Sequence, residues 1–493
     1  MSRDCMRFLL GDTVQEIRDI DPTMTVLDWL RLTRSLSGTK EGCAEGDCGA
    51  CTVVVGRVDG ERVRYEAVNA CIRFMPTLDG CHLLTVEHLR RPDGRLHPVQ
   101  QAMVDCHGSQ CGFCTPGFVM SLFALWLNEA HLSDDRPGDD RIRDALAGNL
   151  CRCTGYAPII EAGRRMYELG DRAADPLAIT AAELFPRLGP PNNDTLVLQQ
   201  NGRRFMAPAT ADALAKTLVE TPDATIVAGA TDVGLWVTKQ MRVLRDVIYV
   251  GGIAELRRIA ETTDTLEIGG AVTFAEAEAA LAKLYPDLGE LIRRTGGLQV
   301  RNVGTIGGNI ANGSPIGDSP PALIAIGATL VLRRGDERRV MPLEDFYIAY
   351  GKQDRRAGEF VERISVPKPA PNAAFRVYKI SKRFDQDISA LCGAFLVELA
   401  DGTVARVRIA FGGMAGTPKR AAAAEAALLG QPWKEATVRS AMAALEGDYA
   451  PLTDWRASAE YRHRVAANLL LKFFGETTGA ETRLVGSRRV AHA

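Results

Sequence analysis

Cys43, Cys48, Cys51 and Cys71 stand in the spacing C-x4-C-x2-C, with a fourth Cys after nineteen further residues. That is the spacing of a plant-type [2Fe–2S] site. A loop that wraps three thiolates around a small inorganic core must curl tightly and aim backbone N–H groups at sulfur. Gly42, Gly46 and Gly49 are expected to supply the positive φ values such a loop needs. Zinc competes for clustered thiolates, but its sites usually begin from a C-x2-C knuckle. The spacing and the glycines favour an iron–sulfur cluster, and so the movement of single electrons.

A second group follows in Cys111-Gly112-Phe113-Cys114-Thr115-Pro116-Gly117 and Asn149-Leu150-Cys151-Arg152-Cys153-Thr154-Gly155-Tyr156-Ala157-Pro158. Each Cys pair runs into Thr, then Pro, then an apolar stretch. Thr is a good N-cap and Pro suits a first helical turn, so the pairs are expected at the starts of two helices. Both positive helix ends would then face an anionic thiolate cluster. A four-thiolate structural zinc site is a rival, since C-x2-C is ordinary zinc spacing. The C-x-C half and the neighbouring site favour a second cluster. Cys5, Cys81, Cys106 and Cys392 lie outside both motifs and read as small core residues.

Several elements must position these groups. Up to about residue 90, short strands (Arg7 to Leu10, Thr52 to Val55, Arg62 to Ala67) alternate with turns around one helix, Val26 to Thr33. From about 91 to 168 the spacing is helical, at Val99 to Val104, Phe118 to Asn128, Ile142 to Ala147 and Ile159 to Leu169. Residues 169–202 look loose, with Pro176, Pro186, Pro190, Pro191 and an Asn-Asn-Asp run, and read as a linker crossing a neighbouring surface. Strands and helices then mix through Pro367. A last α/β piece ends in the apolar helix Tyr461 to Phe474.

Two glycine-rich segments lie beyond the linker. Thr225-Ile226-Val227-Ala228-Gly229-Ala230-Thr231-Asp232 reads as a buried strand entering a tight turn able to hold a diphosphate. Val303-Gly304-Thr305-Ile306-Gly307-Gly308-Asn309-Ile310 and Ser314 to Asp318 form the second. Each alone is equally well an ordinary turn. No G-x-G occurs anywhere, so the Rossmann fingerprint is absent, and so is G-x-x-x-x-G-K-[ST]. A net charge of −2 offers no electrostatic case for nucleic acid or an anionic membrane. The apolar stretch Ala322 to Leu332 is too short to span a bilayer, and the first residues do not read as a signal peptide. Clustered thiols fit a reducing, cytoplasmic compartment.

Taken in order, the C-x4-C-x2-C site, the two Cys-Thr motifs, Ala-Gly-Ala-Thr-Asp and Gly-Gly-Asn-Ile resemble the xanthine dehydrogenase family of molybdenum hydroxylases, from about Arg7 to Leu471. The resemblance is to the bacterial arrangement in which the iron–sulfur and flavin modules share a small subunit. It implies a multidomain α+β chain: a ferredoxin-like β-grasp [2Fe–2S] domain at 1–90, and a four-helix-bundle [2Fe–2S] domain at 91–168. After the linker it implies an α/β FAD-binding domain of the non-Rossmann, vanillyl-alcohol-oxidase-like type at 203–367, and a C-terminal α/β domain at 368–485.

The resemblance also assigns residues. Cys43, Cys48, Cys51 and Cys71 would hold one cluster, and Cys111, Cys114, Cys151 and Cys153 the other. Val227, Ala228, Gly229, Ala230, Thr231 and Asp232 would wrap the FAD diphosphate. Thr305, Gly308, Asn309 and Asp318 would meet the flavin's phosphates and ribityl chain. Lys379 would lie near the flavin, Tyr350 beside the nicotinamide of NAD, and Gln110 would reach toward molybdopterin on a partner. Read from the residues alone, Lys379 is as well a solvated charge and Tyr350 a half-buried core aromatic. In the loop Arg383 to Asp387, Gln386 stands where the animal enzymes carry an additional acid. No stretch resembles a molybdenum-binding domain, so the resemblance puts that centre on a large partner subunit, in a dimer of heterodimers. It implies electron transfer from that centre through two clusters to FAD and NAD, in oxidation of hypoxanthine and xanthine to urate. An aldehyde or another N-heterocycle is the alternative substrate.

Overall fold

The computed structural model describes residues 2–91, 93–129, 138–189 and 194–482. Pro190, Pro191, Asn192 and Asn193 of the expected linker, and residues 483–485 of the expected C-terminal domain, lie outside them. The chain forms two compact units. One comprises Met1–Thr217, Asp223–Ile253 and Gly296–Gly304; the other Leu218–Pro222, Ala254–Thr295 and Thr305–Ala493. Residues 203–367 therefore contribute to both.

In the first unit a five-stranded sheet runs in the order Thr13–Ile17, Met6–Leu10, His82–Leu84, Thr52–Asp59, Arg62–Asn69. Val53 and Val55 join Phe8, Trp29 and Leu30 on one face, while Val54 joins Phe118 and Leu122 on the other. Both faces are covered, which is why this strand is apolar without alternation. The strand thus backs the first cysteine loop with the helices that carry the second. Those helices are Pro98–Asp105, Thr115–Glu129, Asp139–Leu146 and Ala157–Arg165. A second sheet, in the order Ser2–Arg3, Thr195–Gln200, Arg203–Ala207, Asp246–Tyr249, Thr225–Val227, leads into the Gly229 turn.

The segment expected to be a loose linker is laid down on this unit. Its Ala181–Leu188 helix starts with a capping box between Thr180 and Glu183 and buries Leu184. The Tyr65 hydroxyl donates to Leu177 O at 2.9 Å and accepts from Ile179 N at 3.0 Å. The buried Asp175 carboxylate accepts from His97 Nε2 and Trp126 Nε1, both at 2.7 Å, and from Leu177 N at 3.0 Å. Val99 N–H points at His97 Nδ1, which fixes the ring with its proton on Nε2. Burial pushes the Asp175 carboxyl up, but these hydrogen bonds outweigh it and hold it below the usual range. A depressed carboxyl contributes stability at neutral pH that is lost as the pH falls through its folded-state value. Asp175→Asn should therefore cost about 1–3 kcal/mol at pH 7, a gap that closes on acidification. Denaturant titrations of both proteins across the acid range check this, and a gap independent of pH would contradict it.

The second unit begins with an antiparallel sheet in the order Ile259–Glu261, Thr265–Gly269, Phe360–Pro367, Thr329–Arg334, Glu337–Pro342. A second antiparallel sheet, Ala373–Ile380, Leu391–Ala400, Thr403–Gly412 and Lys419–Arg420, precedes the helices Ala422–Leu428, Glu435–Asp448 and Ala459–Thr477. Phe395, Phe411 and Phe473 pack together between sheet and helices. The apolar run from Ala322 is the end of the wholly buried helix Ser319–Ile326, a turn at Gly327 with φ 91°, and a core strand. Among the described residues no helix is long and apolar enough to cross a membrane.

Candidate functional site

The first four cysteines converge. Cys43 lies against Cys48 and Cys71, and Cys71 also against Cys51. Backbone N–H groups of Glu45 and Cys48 point at Cys43 Sγ, each at 3.4 Å. Asn69 Nδ2 donates to Gly46 O at 2.8 Å and anchors the loop. Positive φ occurs at Ala44 (55°), Gly46 (79°) and Gly49 (70°). Gly42 is not among them, contrary to expectation; it is needed because a Cβ there would stand 2.7 Å from Cys48 Sγ. Contact with Cys48 and Cys71 holds the Cys43 thiol far below its ordinary value, while contact with Cys43 pushes Cys48 and Cys71 far up. Thiols packed this way cannot all ionise until a cationic core neutralises them. The four thiols form one run of contacts, Cys48 to Cys43 to Cys71 to Cys51, and it is their spacing along the chain that favours two irons over zinc.

The second group meets in the same way, Cys114 against Cys151 and Cys111 against Cys153. Burial, then contact with Cys151, pushes Cys114 up to about 12. Burial also raises Cys151, but hydrogen bonds from the Thr154 hydroxyl (3.3 Å), Thr154 N (3.5 Å) and Cys153 N (3.4 Å) outweigh it and leave the thiol at about 7. Neither Thr caps its helix as expected. Thr115 is the first helical residue and its hydroxyl donates to Ser109 Oγ at 2.8 Å. Thr154 serves the sulfur directly, and the second helix starts after Tyr156, at φ 69°. Cys111, Cys153 and Gln110 are exposed, whereas Cys51 and Cys71 are buried.

The glycine-rich segments divide between the units. In the first unit Val227 ends its strand buried, and Ala230 takes φ 58°. A Cβ on Gly229 would stand 1.9 Å from Val303 O, so only glycine fits. Among the described residues the N–H groups of Gly229, Ala230 and Thr231 find no acceptor. Donors left open in a turn are what an anionic diphosphate takes up, so the loop fits that group. The Asp232 carboxylate accepts from Trp236 Nε1 at 3.0 Å.

In the second unit Thr305 caps the helix Ile306–Asn312 by accepting from Gly308 N at 2.9 Å, and Asn309 Oδ1 accepts from Ser319 Oγ at 2.6 Å. Asp318 and Lys379 are both buried and paired; Ser389 Oγ donates to Asp318 Oδ1 at 2.5 Å and lies 3.0 Å from Lys379 Nζ. Lys379 is thus no solvated charge, and Ser389 is a partner that the sequence reading missed. Tyr350 is 77% exposed rather than half-buried; the core aromatics here are Phe346 and Tyr347. The 383–387 loop is tied down by Arg383 to Asp387 and by Arg294, which stacks on Phe384 at 3.9 Å and donates to its carbonyl.

Three protein families match this chain: an FAD binding domain in molybdopterin dehydrogenase at residues 200–369, a CO dehydrogenase flavoprotein C-terminal domain at 376–477, and a [2Fe-2S] binding domain at 85–164. The chain is 32% identical to the xanthine dehydrogenase of Emericella nidulans, over 90% of this chain and 36% of that protein. It is 31% identical to aldehyde oxidase 2 of Cavia porcellus, over 95% of this chain and 39% of that protein. It therefore spans little more than a third of these relatives. Among solved structures, a chain of the carbon monoxide dehydrogenase from Hydrogenophaga pseudoflava superposes with a TM-score of 0.52 and 29% identity, covering 54% of this chain and 94% of that one.

Proposed function

The chain belongs to the molybdenum hydroxylase family, and we propose that within it this chain is the electron-transferring iron–sulfur and flavin subunit of a xanthine dehydrogenase. The observation that carries this reading is the gathering of eight thiols into two separate groups of four. When bound, the clusters carry single electrons and FAD exchanges paired electrons as a hydride with NAD. In this reading Cys43, Cys48, Cys51 and Cys71 hold a cluster in a β-grasp domain, and Cys111, Cys114, Cys151 and Cys153 hold one in a helical bundle. The open N–H groups at Gly229 to Thr231 of the first unit suit an FAD diphosphate; for Thr305, Gly308, Asn309 and Asp318 of the second unit, a role toward a flavin's phosphates and ribityl chain, and a vanillyl-alcohol-oxidase-like fold, rest on the resemblance of the motifs alone. Buried Lys379 sits beside the flavin, exposed Tyr350 offers its ring to nicotinamide, and exposed Gln110 faces the molybdopterin of the partner.

The purine is oxidised on a large molybdenum-binding subunit, and the assembly is a dimer of heterodimers in the cytoplasm. The 31% identity to an aldehyde oxidase supports a second reading, with the same role beside a partner acting on an aldehyde or another N-heterocycle. Steady-state assays on the purified chain, alone and with the partner, separate these. The chain alone should pass electrons from NADH to a dye and leave xanthine untouched; xanthine turnover by the isolated chain would overturn the division of labour. Tyr350→Ala, at an exposed position, should leave FAD content and stability within about 0.5 kcal/mol of the parent and slow the NADH–dye reaction. Unchanged turnover would remove Tyr350 from the nicotinamide site.

A further inference from the structure

Gln299, in the Gly296–Gly304 segment of the first unit, is fully buried and reaches both cysteine loops. Its Nε2 lies 3.2 Å from Thr52 Oγ1, 3.1 Å from Ser121 Oγ and 2.9 Å from Asn149 Oδ1. Thr52 follows Cys51, and Asn149 precedes Cys151 by two residues. The amide orientations follow from the neighbours. Asn149 Nδ2 donates to Gly49 O at 3.1 Å, so its Oδ1 must accept, from Ser121 Oγ at 2.7 Å and from Gln299. Beside this node Leu150 N donates to Cys48 O at 3.0 Å, joining the two loops directly.

The fit leaves no room for side chains. A Cβ on Gly49 would stand 2.2 Å from Gly148 O, one on Gly117 2.2 Å from Gly49 O, and one on Gly148 1.7 Å from Gln299 Oε1. Among the described residues Gln299 Oε1 has no hydrogen-bond partner. The same segment holds Asn302, which donates to Ala67 O at 2.9 Å, and Val303, whose carbonyl abuts Gly229.

We propose that Gln299 is a positioning residue for electron exchange between the two cysteine-bound centres: acting through Thr52 and Asn149, it fixes their loops at one separation. This rests on reading both thiol groups as [2Fe–2S] sites. The test is pulsed dipolar spectroscopy between the two reduced clusters in the full chain, with iron analysis on the same samples. Gln299→Met keeps the length and removes the donor. It should retain both paramagnetic signals and the parent's iron while losing the parent's narrow inter-cluster distance distribution, with slower exchange after rapid mixing. Thr52→Val removes the acceptor and should act in the same direction, and Thr52→Ser should restore the narrow distribution. Full iron with an unchanged distribution in Gln299→Met would overturn the proposal. Should Gln299→Met fail to assemble, an unchanged distribution in Thr52→Val would overturn it. Two signals missing from the parent would instead overturn the cluster reading beneath it.

Discussion

Cys48→Ser removes one of two [2Fe–2S] paramagnetic signals and about half of the iron, and leaves the other signal intact; Cys114→Ser does the converse. The expectation follows from the contacts. Cys48 lies against Cys43, which with Cys71 and Cys51 makes one set, and Cys114 lies against Cys151 in another. A serine hydroxyl is a far weaker ligand than a thiolate, and it ends the sulfur contacts that organise each set. The two sets also differ in setting: Cys51 and Cys71 are buried, while Cys111 and Cys153 are exposed. Hydrogen bonding and solvent exposure both tune such centres, so their signals and potentials should be distinguishable. Electron paramagnetic resonance with iron analysis checks this. One common signal lost in both variants would mean a single shared centre.

Lys379→Met destabilises the second unit by about 3–5 kcal/mol. The Lys379 and Asp318 side chains are 1% and 6% exposed, so removing the ammonium strands a carboxylate inside the protein, with Ser389 as a remaining donor. Replacing both partners should cost much less than the two single changes added together, since no charge is then left unpaired. Denaturant titrations of Lys379→Met, Asp318→Asn and the double variant measure the coupling. Additive losses would show that the pair does not act as a unit. Flavin loss in the single variant is then a consequence of the buried charge, so activity alone cannot report on Lys379 at the reacting ring.

The grouping of the cysteines was legible because most of the spacing that brings them together is local, and the amphipathic helices because their period is local. What depended on partners far along the chain was not. Gln299 meets Thr52, Ser121 and Asn149 across 150 to 247 residues, and no local pattern marks it beyond the Gly296-Gly297 pair. Lys379 reads as a surface charge until Asp318, 61 residues away, is folded beside it. Within the 169–202 linker only the helix was not anticipated, for a different reason. Its prolines outweighed the Thr180-Ala181-Ala182-Glu183 capping signature that starts a docked helix. At Thr154 the residue preference for N-caps gave way to the nearer need of the Cys151 sulfur for donors.

Anaerobic titration of the purified chain with NADH, followed by visible absorption and electron paramagnetic resonance, tests the central claim most directly. The account predicts bleaching of the flavin absorption together with the appearance of two distinct [2Fe–2S] signals, because one chain holds both thiol sets and the flavin segments. A colourless chain carrying zinc, or a flavin that NADH reduces while both iron–sulfur centres stay oxidised, would contradict it.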